Sequence, residues 1–262
     1  VRKSYLNNKL LLNLTTSDTG LVHFDKQAFV DCVTGIFGDR VAGILLTINS
    51  SLGERAHNDK NDYEMLFGEN KIEENLLGLN FEVSMQSFFQ TNPKSAEKLY
   101  TKVIDYVLDG MEYSKDDTVM DLFCGTGTIG QLISKKTGVK VIGVDIIAEA
   151  IENAKANAKR NEVETATFYA ADVGKFLIKY PQYEGKIKTI VLDPPRAGIA
   201  PKTLAKVASL DAKRVVYVSC NPATQSRDVE VFREHGYQLK KISFVDQFPH
   251  TSHIEAIAIF EK

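Results

Sequence analysis

The sequence predicts an α/β protein: a doubly wound, Rossmann-like domain over residues 86–262, preceded by a small α+β domain over residues 1–85. Two observations carry this. From Asp116 onward, apolar strand-like runs near 118–123, 140–145, 165–170, 187–192, 214–218 and 254–260 alternate with helical stretches. That alternation implies a parallel sheet covered on both faces, with ligands at the C-terminal ends of its strands. The second observation is Val119-Met120-Asp121-Leu122-Phe123-Cys124-Gly125-Thr126-Gly127-Thr128-Ile129-Gly130. It reads as a strand, a glycine-rich turn and a helix from about Thr128 to Lys136. Such a unit brings backbone amides up to a nucleotide-like ligand.

Taken in order, Lys9–Leu14 and Val41–Ile48 are strand-like, and Asp25–Phe37 has helical spacing of Phe29, Val30, Val33, Ile36 and Phe37. Residues 49–62 are polar and turn-rich and read as an exposed loop. Asn80–Phe89 is strand-like again. Pro93 suits the start of a helix reaching about Leu108, with Asn92 as its cap and Ala96, Leu99, Tyr100, Val103, Ile104 and Val107 as its apolar face. Glu149–Arg160 is alanine-rich and strongly helical.

Composition sets bounds. The 262 residues suffice for two modest domains, and a hydrophobic content of 44% with 25% charge is ordinary for a soluble globular chain. No apolar run approaches a membrane span, and no signal peptide opens the chain. Cys32, Cys124 and Cys220 form neither a C-x-x-C nor an even disulfide set, which points to a reducing, cytoplasmic setting. The net charge of −2 does not advertise nucleic-acid binding. The chain opens on Val1, as a fragment would.

Gly125, Gly127 and Gly130 match G-x-G-x-x-G, so a dinucleotide site, and with it an oxidoreductase, stands as one reading. Asp121 argues for another ligand, because a carboxylate four residues before the first glycine suits a cationic or hydroxyl-bearing group. Val141-Ile142-Gly143-Val144-Asp145 then delivers an acid where ribose hydroxyls are met. S-adenosylmethionine is the favoured ligand on the loop alone, a dinucleotide shares the Asp145 acid, and a purely structural turn is the third reading.

Three further stretches carry chemistry. Asp193-Pro194-Pro195-Arg196 follows an apolar strand, and its adjacent prolines make a rigid lip without N–H donors. Arg196 stands where enzymes that methylate exocyclic amines carry an aromatic, which argues against an amine acceptor. Val215–Pro222 delivers Cys220 to the ligand edge of the sheet. A buried structural cysteine is the bland alternative to a nucleophile. Phe248-Pro249-His250-Thr251-Ser252-His253-Ile254-Glu255 leads into the last strand, where Glu255 opens an otherwise apolar run. His250, His253 and Glu255 lack the further ligands a metal site needs.

Together, FFQTNP, DLFCGTGTIG, GVD, DPPRAG, YVSCNPAT and FPHTSHIE resemble the RNA uracil-5-methyltransferase family (RumA/TrmA type) over roughly residues 80–262. Residues 1–79 resemble more loosely that family's central RNA-facing region. The resemblance implies a transfer of methyl from S-adenosylmethionine to C5 of a uridine in RNA. It implies Cys220 as nucleophile and Glu255 as base for the C5 proton. It implies that Gln90, Phe123, Thr128, Asp145, Asp172 and Asp193 line the cofactor site, to which the reading of the glycine-rich turn adds Gly125. SCNPAT and FPHTSH resemble the branch acting on 23S ribosomal RNA, whereas Asp246-Gln247-Phe248 resembles the transfer-RNA branch; the expected substrate is ribosomal RNA, with transfer RNA second. The family's N-terminal OB-like RNA-binding domain has no counterpart in these residues, and neither does the cysteine cluster of its iron–sulfur members.

Overall fold

The computed structural model describes residues 1–17, 21, 23–48 and 63–262. The loop expected at 49–62 lies outside the described residues. The chain forms two compact units, Val1–Ser87 and Phe88–Lys262.

In the first unit, β1 (Arg2–Lys3), β2 (Leu10–Thr16), β3 (Val41–Ile48) and β4 (Tyr63–Gly68) form a sheet in that order. β2 and β3 run parallel because α1 (Lys26–Phe37) supplies the crossover. Asp25 caps α1, its carboxylate accepting from the Ala28 N–H at 2.9 Å, and Val30 and Val33 pack on Val41 and Ile44. β5 (Ile72–Leu76) and β6 (Leu79–Val83) form a hairpin whose turn residues, Leu77 and Gly78, both have positive φ. The strand expected to reach Phe89 stops at Val83. Ser84 and Ser87 bond to each other side chain to side chain at 2.7 Å, and the Ser87 N–H turns back onto the Ser84 hydroxyl, so the ladder has no continuation.

The second unit is built on a seven-stranded sheet. β7 (Thr118–Leu122) lies inside it, with β8 (Lys140–Asp145) and β9 (Ala166–Ala170) to one side and β10 (Ile187–Leu192) and β11 (Arg214–Ser219) to the other. These five run parallel. The order reverses between β7 and β10, so the ligand crevice of such a sheet opens at the ends of those two strands.

The remaining edge departs from the all-parallel expectation. β13 (Glu255–Glu261) is antiparallel to β11, and β12 (Gln238–Val245) is antiparallel to β13. No helix separates β12 from β13, so they close as a meander rather than a crossover.

Helices α2 (Pro93–Leu108), α3 (Thr128–Thr137), α4 (Ala148–Arg160), α5 (Val173–Lys179), α6 (Pro201–Ser209) and α7 (Pro222–Glu234) cover the sheet. The predicted apolar face of α2 is buried, including Leu99, Val103 and Val107 at 0% exposure. Buried Arg214 fixes the far end of α2. Its guanidinium donates to the Tyr106, Val107 and Asp109 carbonyls while pairing with Glu261, so the orphan carbonyls of the helix end are tied to two strands. No helix among the described residues is long and apolar enough to cross a membrane.

Candidate active site

All the sequence-predicted site residues belong to the second unit. The first group surrounds the glycine-rich turn. After β7 the chain leaves the sheet through Phe123, whose φ is 64° and whose N–H donates to the Val144 carbonyl at 2.8 Å. Gly127, at φ 70°, ends the turn and starts α3. A Cβ on Gly127 would lie 2.4 Å from the Phe168 ring, so only glycine lets the turn pass this close to β9. Asp145, at the end of β8, accepts from the N–H of Gly125 and of Ile147, each at 2.9 Å. One carboxylate thereby holds the loop against the sheet and retains lone pairs for a ligand. Thr128 is buried, its hydroxyl 3.3 Å from that of Thr126.

Asp121 is 0% exposed, one strand position before this exit. Its Oδ2 accepts from the Gly130 N–H at 2.9 Å, and its Oδ1 has no partner among the described residues. Burial, with the Asp145 charge adding to it, pushes its carboxyl up to about 7 despite the Gly130 hydrogen bond. A buried acid with one orphan oxygen is a socket for a proton or a cationic group.

The second group assembles at the ends of β10, β11 and β13. The antiparallel register that pairs Ser219 with Ala256 puts Cys220 one step beyond, opposite Glu255. Directly opposed residues hold their Cβ atoms about 5 Å apart on one face of a sheet. This is why a cysteine and a glutamate far apart in the chain come within reach of each other's charge. Cys220 is partly buried and Glu255 is 4% exposed. The turn after Cys220 is pinned: the Ser219 hydroxyl takes the Asn221 N–H at 3.1 Å, and Asn221 caps α7. The Asn221 amide also donates to the Arg196 carbonyl at 3.2 Å, joining this turn to the Asp-Pro-Pro-Arg lip.

Burial raises the Glu255 carboxyl, partly offset by the Arg196 charge. Burial also raises Asp193 well above the usual carboxylate range, with Glu255 and Asp121 adding to it. The Cys220 thiol is raised by burial and by Glu255 and Asp193, while a hydrogen bond and charge from Arg196 act the other way. Arg196 is thus the group that favours the thiolate, and the site carboxylates oppose it.

Gln90 is 8% exposed and lies near the Tyr100 hydroxyl, whose ionisation is opposed by burial and by the charges of Asp193, Glu255 and Asp121. Tyr100 and Asp193 therefore join the two groups into one acidic centre. Asp172 stands apart. It is exposed beyond the end of β9 and caps α5, its Oδ1 accepting from the Lys175 N–H at 2.9 Å.

Sequence reasoning missed Tyr100, which it placed only on the apolar face of α2, and buried Gln247. It had treated Arg196 only as an argument about the acceptor. The signal for Tyr100 was a hydroxyl in an otherwise aliphatic stripe. Gln247 gave none until its loop was seen docked on α2.

The match to known proteins is extensive. Residues 47–262 match the model of the tRNA (uracil-5-)-methyltransferase family. A Clostridium acetobutylicum protein described as an uncharacterized RNA methyltransferase is 41% identical, over 100% of this chain and 55% of its own length. One from Caldanaerobacter subterraneus, with the same description, is 39% identical over 100% of this chain and 56% of its own. The chain thus spans about half the length of these relatives. The Pyrococcus abyssi tRNA (uracil-54, C5)-methyltransferase, solved with S-adenosyl-L-homocysteine, superposes with a TM-score of 0.76 at 29% identity, covering 99% of this chain and 58% of that one. The Pyrococcus horikoshii TYW2 structure, at 15% identity and a TM-score of 0.59, shares the fold. The chain belongs to the tRNA (uracil-5-)-methyltransferase family.

Proposed function

We propose that this chain carries the catalytic core of an enzyme that transfers a methyl group from S-adenosylmethionine to C5 of a uridine in RNA, through a covalent bond between Cys220 and C6. The placement of Cys220 opposite Glu255, with Asp193 and Arg196 alongside, carries the reading. A dinucleotide oxidoreductase has no work for that pair.

The residues fit the cofactor. The glycine turn offers backbone at close range, Asp145 has free lone pairs at the position of ribose hydroxyls, and the orphan Oδ1 of Asp121 favours a cationic ligand. Gln90, Phe123, Gly125, Thr128 and Asp193 line the same crevice in this reading, with Asp172 at its outer flank. S-adenosylmethionine, when bound, supplies an electrophilic methyl on a sulfonium.

The chain's own residues do the rest. The Cys220 thiolate adds to C6 of the uracil, and the C5–C6 π electrons move to C5 and O4. Arg196 favours the thiolate before attack. C5 would be the acceptor of the methyl that bound S-adenosylmethionine would supply, the electrons of the carbon–sulfur bond leaving with the donor. The Glu255 carboxylate then removes the C5 proton. The C5–H electrons restore the double bond, and the C6–S bond breaks to return the thiolate. The base leaves its stack to present both faces.

Ribosomal RNA is the proposed substrate, on the resemblance of SCNPAT and FPHTSH. Transfer RNA is the second reading, favoured by the 29% identity to the Pyrococcus abyssi enzyme. With a net charge of −2 over half the length of its relatives, the chain draws its main RNA affinity from outside these residues. Incubating the full-length protein with methyl-labelled S-adenosylmethionine and either RNA class should place label in 5-methyluridine, read by nucleoside mass spectrometry. Label in neither class rejects the function. Asp145→Ala should weaken cofactor binding by roughly 1.5–3 kcal/mol in calorimetry, the worth of charge-assisted contacts. Unchanged affinity removes Asp145 from the site.

A further inference from the structure

We propose that Gln247 is a positioning residue: it fixes the Gln90 amide so that its NH2 group, not its carbonyl, faces the reacting base, and thereby selects a base with a carbonyl at C4. The inference rests on the function proposed above and adds a determinant of uracil over cytosine.

The orientation follows from a chain of donors and acceptors that begins at a backbone atom. Gln247 is 1% exposed in the segment between β12 and β13. One terminal atom of its side chain lies 3.2 Å from the Asn92 backbone carbonyl and 3.2 Å from the terminal atom of Gln90 that faces it. A carbonyl only accepts, so the Gln247 atom is Nε2. Its other hydrogen needs an acceptor, so the Gln90 atom is Oε1. The Gln90 NH2 therefore points away from Gln247, and the Gln90 side chain lies near the Tyr100 hydroxyl, which Asp193 and Glu255 reach by their charge.

Packing alone does not ask for a glutamine here. The loop is already held on the start of α2 by backbone: the Ser95 hydroxyl donates to the Asp246 carbonyl at 2.8 Å, and the Asn92 amide reaches the Gln247 carbonyl at 3.5 Å. The Gln247 Oε1, meanwhile, is buried with no partner among the described residues. An unpaired buried carbonyl opposes folding, and an apolar side chain of the same length would avoid it. The Gln247 Nε2 donors are what such a side chain could not replace, and they act on Gln90.

The chemistry explains why the orientation matters. Uracil presents an acceptor at C4 and cytosine a donor. Addition of the thiolate at C6 drives negative charge onto O4, and an amide N–H aimed there stabilises it as it develops. A flipped Gln90 would set carbonyl against carbonyl and would welcome the cytosine amine instead.

The test uses the full-length protein with Gln247→Met and the isosteric Gln247→Glu, on synthetic RNA carrying uridine or cytidine at the target position. Gln247→Met frees the Gln90 amide. It should melt at or above the wild-type temperature, while kcat on uridine falls tenfold or more and the preference over cytidine narrows. Gln247→Glu offers only acceptors when ionised, so it draws the Gln90 NH2 away from the site; its kcat should fall further than that of Gln247→Met although its shape is native. Wild-type kcat and preference in both variants would overturn the inference and leave the function standing. A loss of kcat that merely follows a loss of melting temperature would reduce Gln247 to a packing residue. No 5-methyluridine from the wild-type protein would overturn both.

Discussion

Glu255→Gln leaves the methylated base attached to the protein. The variant retains the thiol that attacks and the crevice that holds the donor, and it lacks the base that takes the C5 proton. Turnover should fall by roughly 10²–10⁴-fold, the usual worth of a general base, while an RNA–protein species survives denaturing electrophoresis. Cys220→Ala should show neither turnover nor that species, because no enolate forms without addition at C6. The same band from Cys220→Ala would place the nucleophile elsewhere and return Cys220 to a structural role. The wild-type pH profile has a predictable sign. Burial raises both the Cys220 thiol and the Glu255 carboxyl, and each works deprotonated, so kcat/KM should rise with pH through neutrality.

Asp121→Asn should make the ligand-free protein more stable in alkaline solution and a poorer cofactor binder. The folded-state carboxyl sits at about 7, against about 3.9 for an unperturbed aspartate. A raised acid favours folding least where the unfolded chain ionises and the folded one resists, so the wild-type protein loses stability as pH climbs from about 4 to about 7. Above that window the shift corresponds to roughly 4 kcal/mol, reduced by the unmet NH2 that asparagine introduces. Asparagine keeps an oxygen for the Gly130 N–H, so the hydrogen bond survives. Denaturant unfolding should show the variant ahead by about 2 kcal/mol or more at pH 8, with the lead shrinking as pH falls toward 4. An equal destabilisation at both pH values would show that Asp121 is held by contacts rather than strained by burial. Its raised pKa is a cost of burial that a cationic ligand would offset.

Much of the second unit is legible in the chain because its parallel strands are buried on both faces. Runs such as Val215-Val216-Tyr217-Val218 are apolar throughout and stand out between helices. β12 was not legible: it lies at the sheet edge, nearly all its residues are exposed, and Lys240 and Lys241 interrupt any alternation. The exposed strand β4 and the short strand β5 escaped because neither shows a clean apolar–polar alternation, whereas β6 overlaps the stretch Asn80–Phe89 that reads as a strand. In the site, the strand-end acids Asp121, Asp145 and Asp193 announce themselves because a carboxylate closing an apolar run needs a reason. The meeting of Cys220 with Glu255 depends on an antiparallel register, which local sequence does not specify. Tyr100 and Gln247 escaped because a helical face and a loop were read by burial, and burial does not distinguish a packed ring from a hydroxyl aimed into a site.

The central claim is that Cys220 bonds to C6 of a uracil, and trapping that bond tests it most directly. RNA carrying 5-fluorouridine at the target position, incubated with the full-length protein and S-adenosylmethionine, should halt after methyl transfer, because fluorine cannot leave as a cation. Nuclease and protease digestion should then yield one peptide carrying a methylated fluorouridine nucleotide, with the added mass on Cys220 in Val215–Arg227 by fragmentation. Adduct on Cys124 or Cys32, or full methyl transfer to ordinary RNA with no adduct on any cysteine, would contradict the account.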